Sequence, residues 1–396
     1  LTYVNAKVRK ANKEARIFKG DRVPMVPRLK ATLGIKYDFT DRFAVFLNYT
    51  YIAKQETREL RANEELDKDD KIIGLTKLAN AIKEKGSKAF IQLYHAGRMA
   101  WPAYNGGAEP IAPSPVAALR PNAPTPREMT EEQIENMIKL FADGARRAIK
   151  AGFDGVEIHG ANTFIVQQFF SPHSNRREDK WGGSRDNRAK FPLEVLRAIK
   201  QVVVEENVKQ FAIGYRFSPE ELEIPGIRFE DTMFLLNKLA EEGLDYVHFS
   251  MGVYTRSSIV DTDNPEELIT QYLARRSLKL AEIPVVGVGS ILQKADAEEA
   301  FKLGYDILAV GKGYLIEPKW VEAVTNGKVI PDFVDKHLRE ELVLPMPLWD
   351  FISYMVSDAE VEKQKHEKIK KLLNAASLLL QKITASCKHI LKPVPT

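Results

Sequence analysis

FDGVEIHGANTFIVQQFFSPHSNRREDKWGGS, residues 153–184, decides the reading of the fold. Its opening run, Gly155-Val156-Glu157-Ile158, is short, largely apolar and bounded by glycine, the pattern of a buried strand. A long helical pattern precedes it, and a loop rich in Asn, Arg, Asp and Gly follows. His159 stands at the strand's carboxyl end, with Asn162 just beyond. Helix, buried strand, then polar side chains past the strand end is how a parallel α/β barrel presents a site.

Working outward, DKIIGLTKLANAIKEKG (70–86) places Ile72, Ile73, Leu75, Leu78, Ala79 and Ile82 on one helical face, and AFIQLYH (89–95) follows as a strand. TEEQ (130–133) reads as a capping box that opens a helix ending at Gly152. Downstream the unit repeats: helices over 187–206, 229–244, 270–282, 295–304 and 318–327 alternate with strands over 211–216, 246–250, 284–289 and 307–311. With VPMVP (23–27) and FAVFLNY (43–49) taken as the first two strands, the strands number eight and predict a (β/α)8 TIM barrel. An open doubly wound sheet is the structural competitor, disfavoured because no GxGxxG follows any strand. The barrel is expected over 1–350, with 1–69 atypical. A Lys-rich amphipathic helical extension is expected over 351–396, read as a solvated helix on the barrel's outside in preference to a partner or membrane-surface helix.

Composition narrows the class. Hydrophobic residues at 44% and charged residues at 28% are the balance of a globular protein with a substantial core. A net charge of +4 favours small anionic ligands, and no basic cluster interleaved with aromatics points to nucleic acid. The single cysteine, Cys387, excludes an intrachain disulfide and a cysteine-ligated iron–sulfur cluster. The seven histidines show no HExxH spacing, so no metal is expected. With no apolar run of membrane length and no apolar leader in the first twenty residues, a reduced cytoplasmic protein is expected; self-association is left open.

Three groups of residues carry chemistry. Gly287-Val288-Gly289-Ser290 and Gly311-Lys312-Gly313 end the last two strands, and paired glycine turns with a cation suit a phosphate, although glycine turns are also ordinary barrel corners. Gln92 and Arg216 are polar residues within strands; a buried Arg needs an acceptor, either a structural carboxylate or the carbonyls of a cofactor ring. His159 and Asn162 carry donors beyond a strand end, suited to polarising a carbonyl or nitro oxygen, and His95 with Arg98 forms a further polar cluster on the same rim.

HAGR (95–98), HGANTF (159–164), SPHSNRREDKWGGS (171–184), GVGSI (287–291) and AVGKGYLIEP (309–318) together resemble the Old Yellow Enzyme family, FMN-dependent NADH:flavin oxidoreductases. The resemblance runs from about residue 70 to residue 350 and is to the single-domain bacterial branch without an iron–sulfur cluster. It implies FMN held noncovalently at the barrel mouth, with Gln92 and Arg216 on the pyrimidine side, Gly289, Ser290, Gly311 and Lys312 on the ribityl phosphate, and Pro27 at the end of the first strand. His159 and Asn162 match the pair that hydrogen-bonds the substrate's electron-withdrawing oxygen; His95, Arg98 and Phe164 are expected on the substrate side. The implied reaction is ping-pong: NADH or NADPH reduces FMN, which passes hydride to an activated alkene, a quinone or a similar small electron-poor acceptor.

The chain departs from the family at four places, one of them the segment between the first two strands, which is too short for the family's usual helix. Lys312 stands where Arg is usual, keeping the charge but losing the bidentate fork. Phe164 replaces the usual proton-donating Tyr, leaving Tyr94 and Tyr254 as available phenols. Of the usual flavin-contacting stretch of the first strand, only Met25 and Pro27 survive. The altered first quarter supports an alternative: a barrel that binds flavin poorly and serves as a structural or interaction protein. A phosphate-ligand barrel with isomerase or aldolase chemistry is a third reading, for which no strand-end Lys or Glu base presents itself.

Overall fold

The structure, a computed structural model, describes residues 69–357 apart from 105, 106, 343 and 345, together with the backbone of short strands between residues 2 and 52. Six strands form one parallel sheet in chain order: β1 (Phe90–Leu93), β2 (Gly155–Gly160), β3 (Ala212–Phe217), β4 (Tyr246–Phe249), β5 (Val285–Val288) and β6 (Ile307–Ala309). Helix α1 (Asp69–Lys83) leads into β1 and α2 (Glu131–Lys150) joins β1 to β2. Between β2 and β3 lie α3 (Ile165–Phe170) and α4 (Arg185–Glu205), and α5 (Phe229–Glu241) precedes β4. The later crossovers carry α6 (Leu268–Arg275), α7 (Leu278–Ala281) and α8 (Lys294–Leu303), and α9 (Lys312–Ile316) follows β6. Sequential parallel strands with helices in each crossover form the wall of a (β/α)8 barrel, and the described residues supply six of its strands.

Each strand carries two faces. Val156, Ile158, Ile213, Tyr215, Phe217, Val247, Phe249 and Val285 turn towards the helices and are buried with Ile134, Phe141, Leu196, Ile199, Leu236 and Leu239. The opposite, inner face is polar higher up and aromatic at its base. There Gly155 and Gly214 leave room for the rings of Phe90 and Tyr246, which meet edge to face at 5.9 Å between centroids. A Cβ on Gly214 would lie 2.0 Å from Tyr246 Cζ.

One device recurs where a helix returns to the sheet. Gly152-Phe153-Asp154, Gly243-Leu244-Asp245 and Gly304-Tyr305-Asp306 each place a glycine at positive φ, a buried apolar side chain, and an aspartate. The aspartate accepts a backbone N–H at the start of the neighbouring strand: Asp154 from Ala89 at 2.9 Å, Asp245 from Ile213 at 2.7 Å, Asp306 from Val285 at 2.8 Å. The glycine ends the helix in a conformation that disfavours a side chain, and the carboxylate satisfies a donor at the strand end, where a ladder partner is missing. This repeat is visible in the sequence as G-Φ-D before a strand.

Several expectations change. The expected second strand over 43–49 does not enter the parallel sheet: Phe43–Ala44 pairs with Asp38–Thr40, and Leu47–Ile52 pairs antiparallel with Leu29–Ile35. The intervening chain is too short for a helical crossover, whereas an antiparallel partner needs only a turn. The expected first strand over 23–27 lies outside the described residues, as do Pro27 and the tail 358–396 that was expected to be helical. The single helix expected over 270–282 is two, because Arg276 is extended and Ser277 caps α7. Past residue 350 the chain still packs on the core through Ile352 and Met355, and Val356–Ser357 pairs with Val334–Asp335. No helix among the described residues is long and apolar enough to cross a membrane.

Gly214→Ala is expected to cost about 2–3 kcal/mol by driving Tyr246 from its seat, read as a lowered unfolding midpoint. An unchanged midpoint would show that the ring moves freely.

Candidate active site

The inner face holds a polar cluster drawn from four strands. Glu157 on β2 is 8% exposed, and its carboxylate accepts from Gln92 Nε2 on β1 and from His248 Nδ1 on β4 at 2.9 Å. Tyr246 also hydrogen-bonds this carboxylate, and burial pushes its phenol well above the usual range. Gly214 is the residue of β3 opposite both Glu157 and Tyr246, so its missing side chain clears the path between them. Burial raises the Glu157 pKa, but the charges of His248 and Arg216 and the bonds from His248 and Gln92 outweigh it, holding the carboxyl at about 2. Arg216 stands opposite both His159 and His248 in register, and its Nε is buried without an acceptor.

At the carboxyl end of β2, His159 is 4% exposed, and its Nδ1 accepts the Ala161 N–H at 3.2 Å. That bond leaves the proton of the neutral ring on Nε2. Burial first, and then the charge of Arg216, drop its pKa to about 3, so the ring is a neutral donor at physiological pH. Phe164 packs edge-on to His159 with centroids 4.8 Å apart, and the exposed Tyr94 lies 5.2 Å from Phe164 and 6.3 Å from His159. Tyr254, the other phenol the sequence offered, is committed elsewhere: it donates to Glu299 at 2.7 Å.

Asn162 and Thr163 are consecutive residues in the left-handed region, with φ of 56° and 57°. For a β-branched residue this is a true outlier, costing of order 1–3 kcal/mol. The surroundings enforce it. Asn162 N–H donates to Ser218 Oγ at 2.9 Å, and Asn162 Oδ1 accepts from Ser250 Oγ at 2.9 Å, which leaves its Nδ2 hydrogens for another acceptor. Thr163 N–H donates to Gln167, its carbonyl accepts from Gln168, and its Oγ1 accepts from Arg98 Nη2 at 3.0 Å.

Arg98, expected on the substrate side, is 1% exposed and spends its donors on Thr163 and the Ala117 carbonyl. It reaches the rim through Thr163. Gly97 beside it has φ 57°, and a Cβ there would strike Gln168, which explains the glycine of HAGR. His95 is partly buried, its Nδ1 accepting the Gly97 N–H at 3.1 Å. The SPHSNRREDKWGGS segment is a buttress: Asn175 donates to the Phe169 and Trp181 carbonyls, Arg177 to those of Pro113 and Met129, and Arg188 to that of Phe170.

The loops after β5 and β6 start level with each other, Val288 opposite Ala309. Gly289 has φ 115°, and a Cβ there would collide with the backbone of 251–253, so the two loops interlock. Ser290 Oγ donates to the Gly252 carbonyl at 2.9 Å. Beside Gly311 a Cβ would meet nothing within 4 Å, and the exposed Lys312 side chain makes no ion pair among the described residues. The structure therefore gathers His159, Asn162, Phe164, Gln92 and Arg216 at one end of β1–β3, and Gly289, Ser290, Gly311 and Lys312 at the same end of β5–β6. Glu157, Tyr246, His248 and Thr163 were missed by sequence reading. The one available signal was a Glu inside a run otherwise fit for a fully buried strand.

Comparison with known proteins identifies the family. The family model for the NADH:flavin oxidoreductase / NADH oxidase family matches residues 45–329. The NADH:acrylate oxidoreductase of Vibrio harveyi is 59% identical over 309 residues, 78% of this chain and 31% of that protein. The NADH:fumarate oxidoreductase of Klebsiella pneumoniae (strain 342) is 52% identical over 302 residues, 76% of this chain and 33% of that protein. The chain thus spans about a third of the length of these two relatives. Among solved structures, morphinone reductase superposes with a TM-score of 0.55 at 26% identity, covering 66% of this chain and 71% of that one. The chain belongs to the NADH:flavin oxidoreductase / NADH oxidase family, and the resemblance to Old Yellow Enzyme holds.

FMN and NAD(P)H are the cofactors this membership implies. The residues fit FMN: Arg216 Nε is a buried donor with no acceptor among the described residues, as a ring with carbonyl oxygens requires, His248 Nε2 is buried and unpartnered among them, and open space beside Gly311 with the Lys312 cation suits a phosphate.

His159 ties this geometry to pH. Its folded pKa lies below the ordinary value of 6.5, so its contribution to stability is full above about 6.5 and is lost as pH falls towards about 3. Urea unfolding between about pH 7 and pH 4 is expected to show wild type losing stability more steeply than His159→Gln. Parallel curves would mean that the ring is not buried as described.

Proposed function

We propose that the barrel is an FMN-dependent NAD(P)H oxidoreductase that reduces small electron-poor acceptors, activated alkenes first among them. The observation that carries this reading is the neutral, buried His159 beside Asn162, level with Arg216 and one inner-face position above Gln92. When bound, FMN supplies the hydride chemistry. The chain's part is to hold and orient. Gln92, Arg216 and the β5–β6 loops hold the cofactor, while His159 Nε2 and Asn162 Nδ2 donate to the acceptor's carbonyl or carboxylate oxygen, drawing electron density from the carbon to be reduced. Two relatives named for acrylate and fumarate support α,β-unsaturated carboxylates as the first substrates to try.

Phe164 occupies the position beside His159 from which a Tyr would deliver a proton, and it has none to give. Quinones and other acceptors that take their protons from water are therefore well served. Two uncharged donors suit either class. The activity and partners of a longer protein containing this barrel belong to the same proposal.

In rapid-mixing experiments, His159→Ala with Asn162→Ala is expected to slow acceptor reduction at least tenfold while NADH still reduces the flavin within about twofold. Equal loss in both halves would make the pair structural. Lys312→Ala is expected to weaken FMN binding by about tenfold, and unchanged affinity would remove Lys312 from the phosphate site.

A further inference from the structure

We infer that Glu157 is a positioning residue for the flavin's pyrimidine edge: a buried counter-charge that orients Gln92 and sets how much positive charge Arg216 and His248 present there. This rests on the flavin site proposed above. Both oxygens of Glu157 are engaged, Oε1 by Gln92 Nε2 and Oε2 by His248 Nδ1, with Tyr246 adding a third bond, so the carboxylate is not a base available to substrate. Its bond to the Gln92 amide nitrogen settles which end of that amide remains for a ligand. Arg216, half-buried on the neighbouring strand, has no hydrogen-bond partner among the described residues and feels Glu157 through space. His248 likewise keeps a buried Nε2 without a partner.

The assembly is one anion and two basic side chains, with Arg216 Nε and His248 Nε2 both without a partner among the described residues. Reduction adds negative charge to a flavin's pyrimidine half, so cations beside it raise the potential and a buried anion lowers it. Glu157 thereby acts on the cofactor through Gln92, Arg216 and His248.

The test uses the full chain loaded with FMN, with the midpoint potential measured by spectroelectrochemistry. Glu157→Gln, which keeps the side chain's shape, is expected to move the potential positive, favouring flavin reduction at a fixed donor ratio by about tenfold. His248→Asn, whose amide nitrogen takes the place of Nδ1, is expected to move it in the opposite direction. Circular dichroism establishes that each variant is folded, and if one fails to fold the other decides. Potentials unchanged in folded variants would reduce Glu157 to a packing role and overturn the inference alone. Wild-type protein that binds no FMN would overturn both this inference and the proposed function.

Discussion

Glu157 places an ionised carboxylate inside the sheet, and burying such a charge without partners costs several kcal/mol. Its partners come from β1 and β4, on either side of β2 and β3, and they reach it only in one register. Gln92 must lie opposite Glu157, and Gly214 must lie between Glu157 and Tyr246 so that no side chain intervenes. A slip of one residue on any of these strands would send a polar group to the helix-packed face and strand the carboxylate. The same register lifts His159 and Arg216 together to the strand ends. The polar cluster thus specifies the alignment that the apolar face, made of interchangeable Val, Ile and Phe, leaves less determined.

Above the cluster, the fold stores strain where it presents donors. Asn162 and Thr163 hold left-handed backbones because Ser218, Ser250, Gln167, Gln168 and Arg98 leave no alternative. Arg98 arrives from the loop after β1 and the two serines from the ends of β3 and β4. The turn is therefore braced by the loops of three other strands, which is how a flexible amide becomes a fixed one. The long motif after α3 stiffens this end further by spending its Asn and Arg side chains on carbonyls.

The parallel architecture was legible because each strand is a short apolar run between a helix-ending glycine and a turn, and the Thr130 capping box formed as read. Local pattern was enough there. It was not enough for the cluster: Glu157 meets Gln92 across 65 residues and His248 across 91, and no local period encodes a pairing of that length. Arg98 looked like a rim residue since its motif sits at a strand end; only the fold shows Thr163 and Ala117 closing over it. In the first quarter, FAVFLNY carries strand propensity, and propensity does not say which neighbour a strand will take.

The account stands on one claim, that these strand ends hold a flavin that nicotinamide can reduce. A visible absorbance spectrum after incubation with FMN and desalting, followed by anaerobic NADH, tests it most directly. The account predicts a retained flavin band that bleaches when NADH is added. A protein that comes through desalting colourless would contradict it, and would return the barrel to the structural or interaction role that its altered first quarter suggests.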